Sequence, residues 1–383
     1  MTARSLDSKL PNQGLSIFAI MSQMAQECEA INLSQGFPDF ESDPVLIDLV
    51  HKYMRQGKNQ YAPMPGLPEL RQRISGKVES LYGQKIDWQD EITITSGATQ
   101  ALFNTFNAFV KRGDEVIILD PAYDSYAPAV HLAGGKVRPV AITGPDFRTP
   151  WDKIAETINE KTALIVLTNP HNPLGKILTD DDIGLMRKLL EQYNGYFVVD
   201  EVYEHLVYDD RPHLSILRYP ELYARSVLTY SFGKTFHNTG WKIGYSIAPP
   251  QLTKEIRKVH QFNVFSVNTP IQYALAEYME DEKRYLGLSD FFEEKRDYLS
   301  DALSGTALKP LACEGSYFML VDYSEVSDKD DRSFAEWLTR EYGVATIPLS
   351  PFYSNPPGDK VVRLCFAKEL DTLERAVERL KGL

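Results

Sequence analysis

The chain has 383 residues, 43% of them hydrophobic and 25% charged, and its 53 acidic against 41 basic side chains leave a net charge of −12. The length calls for more than one domain, and so ordinary a composition excludes collagen, low-complexity disorder and a disulfide-dense secreted module. An acidic chain has no general field to attract nucleic acid or an anionic membrane, so an anionic ligand has to be held by local groups.

In chain order, the first 45 residues lack the rhythm that follows and are expected to pack with a C-terminal domain. Within them Leu15 to Met24 is broken by Ser16, Ser22 and Gln23. It has no basic start followed by a clean apolar stretch, which argues against a signal peptide, and nothing in the chain approaches a membrane span. Cys28, Cys313 and Cys365 are far apart and form no framework pattern, so the expected address is the cytoplasm.

Residues 46–274 are expected to form a large domain. Short apolar runs at Val116–Leu119, Leu164–Leu167, Phe197–Val199 and Val227–Tyr230 alternate with segments of helical period such as Asp181–Gln192. That alternation predicts an α/β fold with a mostly parallel sheet covered on both faces. Residues 275–383 change texture. Helices are expected at Ile271–Glu280, Leu288–Leu303 and Ser333–Tyr342, with strands at Ser316–Val321 and Val361–Cys365, as in a smaller α+β domain.

The chemistry sits where the apolar runs stop, because ligands of open α/β sheets lie beyond the carboxyl ends of the strands. After Ile92–Thr95 comes Ser96-Gly97-Ala98-Thr99, opening an amphipathic helix; free N–H groups and a hydroxyl there suit a phosphate, and the plainer reading is a simple N-cap. The loop Asn169-Pro170-His171-Asn172-Pro173-Leu174-Gly175 is stiffened by two prolines and offers the Asn172 amide to a ligand or to local backbone. Asp200 ends a buried run, where a carboxylate is costly unless paired, with Tyr203 three residues on; the alternative is a helix N-cap.

Lys234 follows Ser231-Phe232-Gly233, among aromatics that lower an amine's pKa and favour Schiff-base chemistry, although a lysine can also snorkel from a strand edge. Gly233-Lys234-Thr235 is no P-loop, because Leu228 stands where the first glycine is required, and there is no G-x-G-x-x-G. Arg363, within Val361–Phe366, needs an anion: a substrate carboxylate or a structural acid. No spacing of His, Cys or acids suggests a metal.

Read together, these motifs resemble the class I/II aminotransferases of the pyridoxal-phosphate-dependent fold type I family, in the kynurenine/methionine aminotransferase branch. The resemblance runs from Asn32-Leu-Ser-Gln-Gly36-Phe-Pro-Asp39 to Val361-Val-Arg363-Leu-Cys-Phe-Ala-Lys368, and includes Tyr61-Ala-Pro63, Gly240-Trp241-Lys242 and Phe265-Ser-Val-Asn-Thr-Pro270.

The resemblance implies a large domain with a seven-stranded, mostly parallel sheet and pyridoxal 5′-phosphate as cofactor. Lys234 would carry the cofactor as a Schiff base and shuttle the proton. Asp200 would pair with the ring nitrogen, and Tyr203 and Asn172 with the phenolic oxygen. Ala98, Thr99, Ser231 and Lys242 would hold the phosphate, with lysine at 242 where many relatives have arginine, and Tyr123 would stack on the ring. Arg363, Asn172 and the Gly36 backbone would grip the substrate carboxylate. Phe18 would line an apolar pocket together with Tyr61, which would arrive from the partner subunit of a homodimer and also touch the phosphate.

Ping-pong transfer between an apolar or aromatic amino acid and a 2-oxo acid is expected. Cysteine-conjugate C–S β-lysis is the alternative on the same residues. A ligand-sensing regulator would need a fused DNA-binding module, for which motifs starting near residue 32 leave no room.

Overall fold

The structure is a computed structural model that describes residues 7–11 and 13–383. Seven strands form the main sheet, in the spatial order Ile92–Thr95, Gly244–Ile247, Ser226–Ser231, Tyr196–Asp200, Thr162–Thr168, Glu115–Asp120 and Lys136–Ala141. Six run parallel. Gly244–Ile247 alone is antiparallel to both its neighbours.

The apolar runs explain why this sheet is buried on both faces. Ile117, Leu119, Ile165, Leu167, Phe197, Val199 and Leu228 point into the principal core. Their alternates Val116, Ile118, Leu164, Val166 and Val198 point the other way, onto Leu102 and Phe106 of the helix Gly97–Phe109. A side chain buried this fully stabilises by about 1.5–3 kcal/mol, so every second residue on both faces contributes. The edge strand Lys136–Ala141 has largely solvated faces and no matching apolar run.

A second sheet of four antiparallel strands comprises Ile347–Pro348, Val361–Cys365, Phe318–Asp322 and Lys309–Pro310. The N-terminal segment joins it: Ile31–Asn32 pairs in parallel with Val344–Ala345, and Cys365 N–H donates to the Leu33 carbonyl at 2.8 Å. Residues 1–6 and 12 of that segment lie outside the described residues. The helices expected from periodicity span Thr269–Tyr278, Leu288–Leu303 and Asp331–Glu341. The first is continuous across the expected 274/275 boundary and packs against Pro44–Arg55. Among the described residues no helix is long and apolar enough to cross a membrane.

Candidate active site

Twelve of the thirteen residues singled out in the sequence line one cavity of about 270 Å³ between the two sheets: Phe18, Gly36, Ala98, Thr99, Tyr123, Asn172, Asp200, Tyr203, Ser231, Lys234, Lys242 and Arg363. The exception is Tyr61, which is 82% exposed and meets Phe265 edge-on, with ring centroids 5.6 Å apart.

One end of the cavity is built for an anion. The strand Ile92–Thr95 turns through Gly97, at φ +75°, a left-handed conformation natural to glycine, into the helix Gly97–Phe109. The first turn of a helix leaves N–H groups without intrahelical acceptors, and those of Ala98 and Thr99 belong to it. Gly244 faces them. A Cβ there would lie 2.7 Å from the Ala98 nitrogen and 2.5 Å from the Tyr230 carbonyl oxygen, so only glycine allows the approach. Lys242 sits beside this cradle in a left-handed backbone, φ +54°, which costs about 1–3 kcal/mol and is a frequent mark of ligand sites.

Asp200 closes the strand Tyr196–Asp200 and is 5% exposed. A turn follows it, not a helix, so its carboxylate caps no helix. It accepts from Tyr126 Oη at 2.7 Å, Val202 N–H at 3.3 Å and Thr229 Oγ1 at 3.4 Å. None of these donors is a cation, and burial pushes its pKa up to about 6. A buried carboxylate so placed is matched to a cationic partner.

Lys234 lies in the single helical turn Phe232–Thr235 that follows the strand Ser226–Ser231. Its Nζ donates to the Gly36 carbonyl at 2.9 Å and to Tyr317 Oη at 2.7 Å, and burial lowers its pKa to about 8. Tyr203, whose phenol burial holds well above its usual range, meets Tyr317 edge-on at 5.1 Å.

Arg363 belongs to the strand Val361–Cys365 and is 1% exposed. Its Nη1 donates to Asn172 Oδ1 at 2.9 Å and its Nη2 to the Ser34 carbonyl at 2.8 Å, while its buried Nε has no partner. Its strong donors therefore go to neutral oxygens, which leaves the positive charge for a ligand.

Sequence reasoning missed Tyr126 and Tyr317, which hold Asp200 and Lys234. Gln35, Thr168 and Phe318 also line the cavity. Tyr317 stands in the strand-like stretch Ser316–Val321, but nothing local marks it as different from a core tyrosine.

The donor set fits pyridoxal 5′-phosphate. An N–H cradle with a lysine suits the phosphate, a buried carboxylate with no cationic hydrogen-bond partner suits a protonated ring nitrogen, and the Lys234 amine lines the same cavity. Among the described residues, no group of three or more His, Cys, Asp or Glu is arranged to hold a metal.

Comparison with known proteins shows the family. The family profile described as Aminotransferase class I and II matches residues 29–380. The chain is 49% identical to the methionine aminotransferase of Escherichia coli (strain K12), over 98% of each chain. It is 34% identical to human kynurenine–oxoglutarate transaminase 1, over 94% of this chain and 93% of that protein. A solved structure of an Escherichia coli protein with methionine aminotransferase function superposes with a TM-score of 0.97 at 48% identity, covering all of both chains. N-succinyldiaminopimelate aminotransferase from Mycobacterium tuberculosis superposes at 0.94 and 31% identity, covering 99% of this chain and 100% of that one. With its fold and nearly its whole length matched, the chain belongs to the class I and II aminotransferases.

Proposed function

We propose that this aminotransferase binds pyridoxal 5′-phosphate through Lys234 and moves the amino group of an apolar or aromatic amino acid, methionine foremost, to a 2-oxo acid. The observation that carries this is the single cavity shared by Lys234, the cation-free carboxylate of Asp200 and the helix start at Ala98 and Thr99. The bound cofactor supplies an electron-withdrawing ring that stabilises negative charge developing at the substrate Cα.

The chain's own residues do the rest. Ala98, Thr99, Ser231 and Lys242 hold the phosphate. Asp200 keeps the ring nitrogen protonated, and Tyr203 and Asn172 hydrogen-bond the phenolic oxygen. Tyr123, edge-on to Tyr126 at 5.7 Å, covers the ring face. Arg363, backed by Asn172 and the Gly36 backbone, receives the α-carboxylate. Lys234 takes the Cα proton and gives it back, which a pKa near 8 permits at neutral pH.

The substrate class is supported by the cavity's own wall. Among the described residues Arg363 is the one arginine lining it, and Phe18 and Phe318 flank that arginine with centroids 5.3 and 3.8 Å from its guanidinium carbon. Among the described residues there is no second guanidinium for a side-chain carboxylate there, and the nearby relatives named for methionine and kynurenine point the same way.

A homodimer completes the site. Tyr61 lies outside its own cavity, beside exposed Phe265. Tyr61 is assigned to the partner's cavity, as one contact to the phosphate and one wall of the substrate pocket. The three unpaired cysteines fit a cytoplasmic setting.

The test is an absorbance experiment. The loaded protein is expected to show a visible band that bleaches to a near-ultraviolet band with excess methionine and no acceptor, then returns with a 2-oxo acid. Lys234→Ala should lose the cycle. A higher kcat/KM for aspartate than for methionine and phenylalanine overturns the substrate class. Pyruvate and ammonia from a cysteine conjugate without acceptor would mark elimination as the main reaction instead. Mixed dimers of Lys234→Ala and Tyr61→Ala chains should regain activity that neither variant has alone; no recovery refutes the shared site.

A further inference from the structure

Three polar atoms meet at the reactive amine. Lys234 Nζ donates to the Gly36 carbonyl at 2.9 Å and to Tyr317 Oη at 2.7 Å, and Tyr317 Oη donates to the same carbonyl at 2.6 Å. Tyr317 is fully buried, and burial keeps its phenol protonated far above the usual tyrosine range. Its one hydrogen goes to Gly36 along the shortest of the three contacts. Its oxygen is then an acceptor for Lys234, and the carbonyl, with two lone pairs, accepts from both.

Counting hydrogens gives the consequence. A neutral amine has two N–H bonds and one lone pair. Here both N–H bonds are taken by Gly36 and Tyr317, so the lone pair faces neither and is left to the cavity. The ring that imposes this is fixed. Tyr317 meets Tyr203 edge-on at 5.1 Å and Phe318 at 4.8 Å. The backbone before it is tied down by Ser316 N–H to the Leu206 carbonyl at 2.9 Å and Gly315 N–H to the Gly175 carbonyl at 3.0 Å.

We propose that Tyr317, acting with the Gly36 carbonyl, aims the lone pair of Lys234 at the substrate and is a positioning residue for proton transfer. The inference rests on the role assigned above to Lys234. In the step concerned, the Cα–H bond breaks, its electron pair stays with the substrate, and an N–H bond forms on Lys234; the same proton is later returned. Without the phenol, one N–H loses its acceptor and the amine can rotate its lone pair away.

Tyr317→Phe keeps the ring and removes the oxygen. In single-turnover reaction with methionine, its half-reaction should slow by about 10- to 100-fold, the scale of a misaimed reacting group. Methionine KM should change little, and the rate difference between Cα-protonated and Cα-deuterated methionine should grow. An independent readout needs no turnover. In the cofactor-free full chain, modification of Lys234 by an amine reagent, mapped by mass spectrometry across pH, should have a midpoint near pH 8 in the wild type. That midpoint should move down in Tyr317→Phe, because the ammonium loses one of its two acceptors.

An unchanged isotope effect together with an unmoved midpoint overturns the proposal. If Lys234→Ala is inactive while Tyr317→Phe behaves as wild type, only this inference fails; if Lys234→Ala still completes the half-reaction, the role of Lys234 fails first. A thermal melt checks folding of the variant. Should it misfold, 3-fluorotyrosine at position 317 keeps the hydroxyl and changes its acidity, and the same midpoint must shift.

Discussion

Arg363 Nη1 donates to Asn172 Oδ1 at 2.9 Å, joining an inner strand of the second sheet to a loop at the rim of the first. The guanidinium lies 3.8 Å from the Phe318 ring centroid, so both its plane and its direction are set before any ligand arrives. One amide thereby positions the arginine from the side on which the cofactor is placed.

Arg363→Lys should show that the planar fork matters beyond the charge. Lysine keeps one positive charge but cannot bond Asn172, Ser34 and a carboxylate in one plane. Methionine KM should rise about 10- to 100-fold, the worth of a hydrogen bond to a charged group, with a smaller change in kcat. Steady-state kinetics with methionine measure this, and an unchanged KM places the carboxylate elsewhere.

Tyr126→Phe should weaken cofactor binding without disturbing the core. The ring packs against Leu102 and Val130 with or without its hydroxyl, but Asp200 loses its 2.7 Å donor and becomes harder to ionise. The Kd for pyridoxal 5′-phosphate should rise about 10-fold, near 1.4 kcal/mol. Equilibrium dialysis of the two proteins gives the ratio directly.

Asp200 should also leave a signature in stability against pH. Its folded pKa of about 6 stands above the ~3.9 of an unfolded aspartate, so the native state binds the proton more tightly. Its favourable contribution is complete below about pH 4 and is lost as the pH rises through 6, a change of about 3 kcal/mol. In the cofactor-free protein, Asp200→Asn should therefore gain on the wild type by about that amount between pH 4 and pH 7. Urea titrations across the range test it; parallel curves would mean that Asp200 is already paired.

Much of this is legible in the amino-acid sequence because strand ends announce themselves. Val199-Asp200 and Tyr230-Ser231 are places where apolar runs stop at polar groups, and Lys234 is three residues beyond the second. The edge strand Lys136–Ala141 was not readable, since its solvated faces leave no alternation. The reversed direction of Gly244–Ile247 has no signature in its four residues. Tyr126 and Tyr317 were hidden for a different reason: their partners Asp200 and Lys234 are 74 and 83 residues away. A buried tyrosine looks alike whether its hydroxyl meets a backbone carbonyl or a reactive group.

Gly244→Ala tests the cradle. The added carbon would meet only backbone atoms, at 2.5–2.8 Å, so neither side can yield by a rotamer change. The strand or the helix start has to shift, at about 1–3 kcal/mol of stability. Phosphate binding should suffer with it, read as faster loss of pyridoxal 5′-phosphate on dilution. A loss of stability with unaltered cofactor retention would move the phosphate away from Ala98.

The hydrogen bond from Arg363 to the Ser34 carbonyl spans 329 residues, so it cannot form until nearly the whole chain has been made. Every residue of this chain assigned to the cofactor has left the ribosome once Lys242 has, while the arginine assigned to the substrate follows 121 positions later (363 − 242). On the roles proposed above, a growing chain would contain its coenzyme-facing set well before its substrate arginine. On that assignment, commitment to the metabolite would wait for translation to bring the strand Val361–Cys365 back to the N-terminal segment.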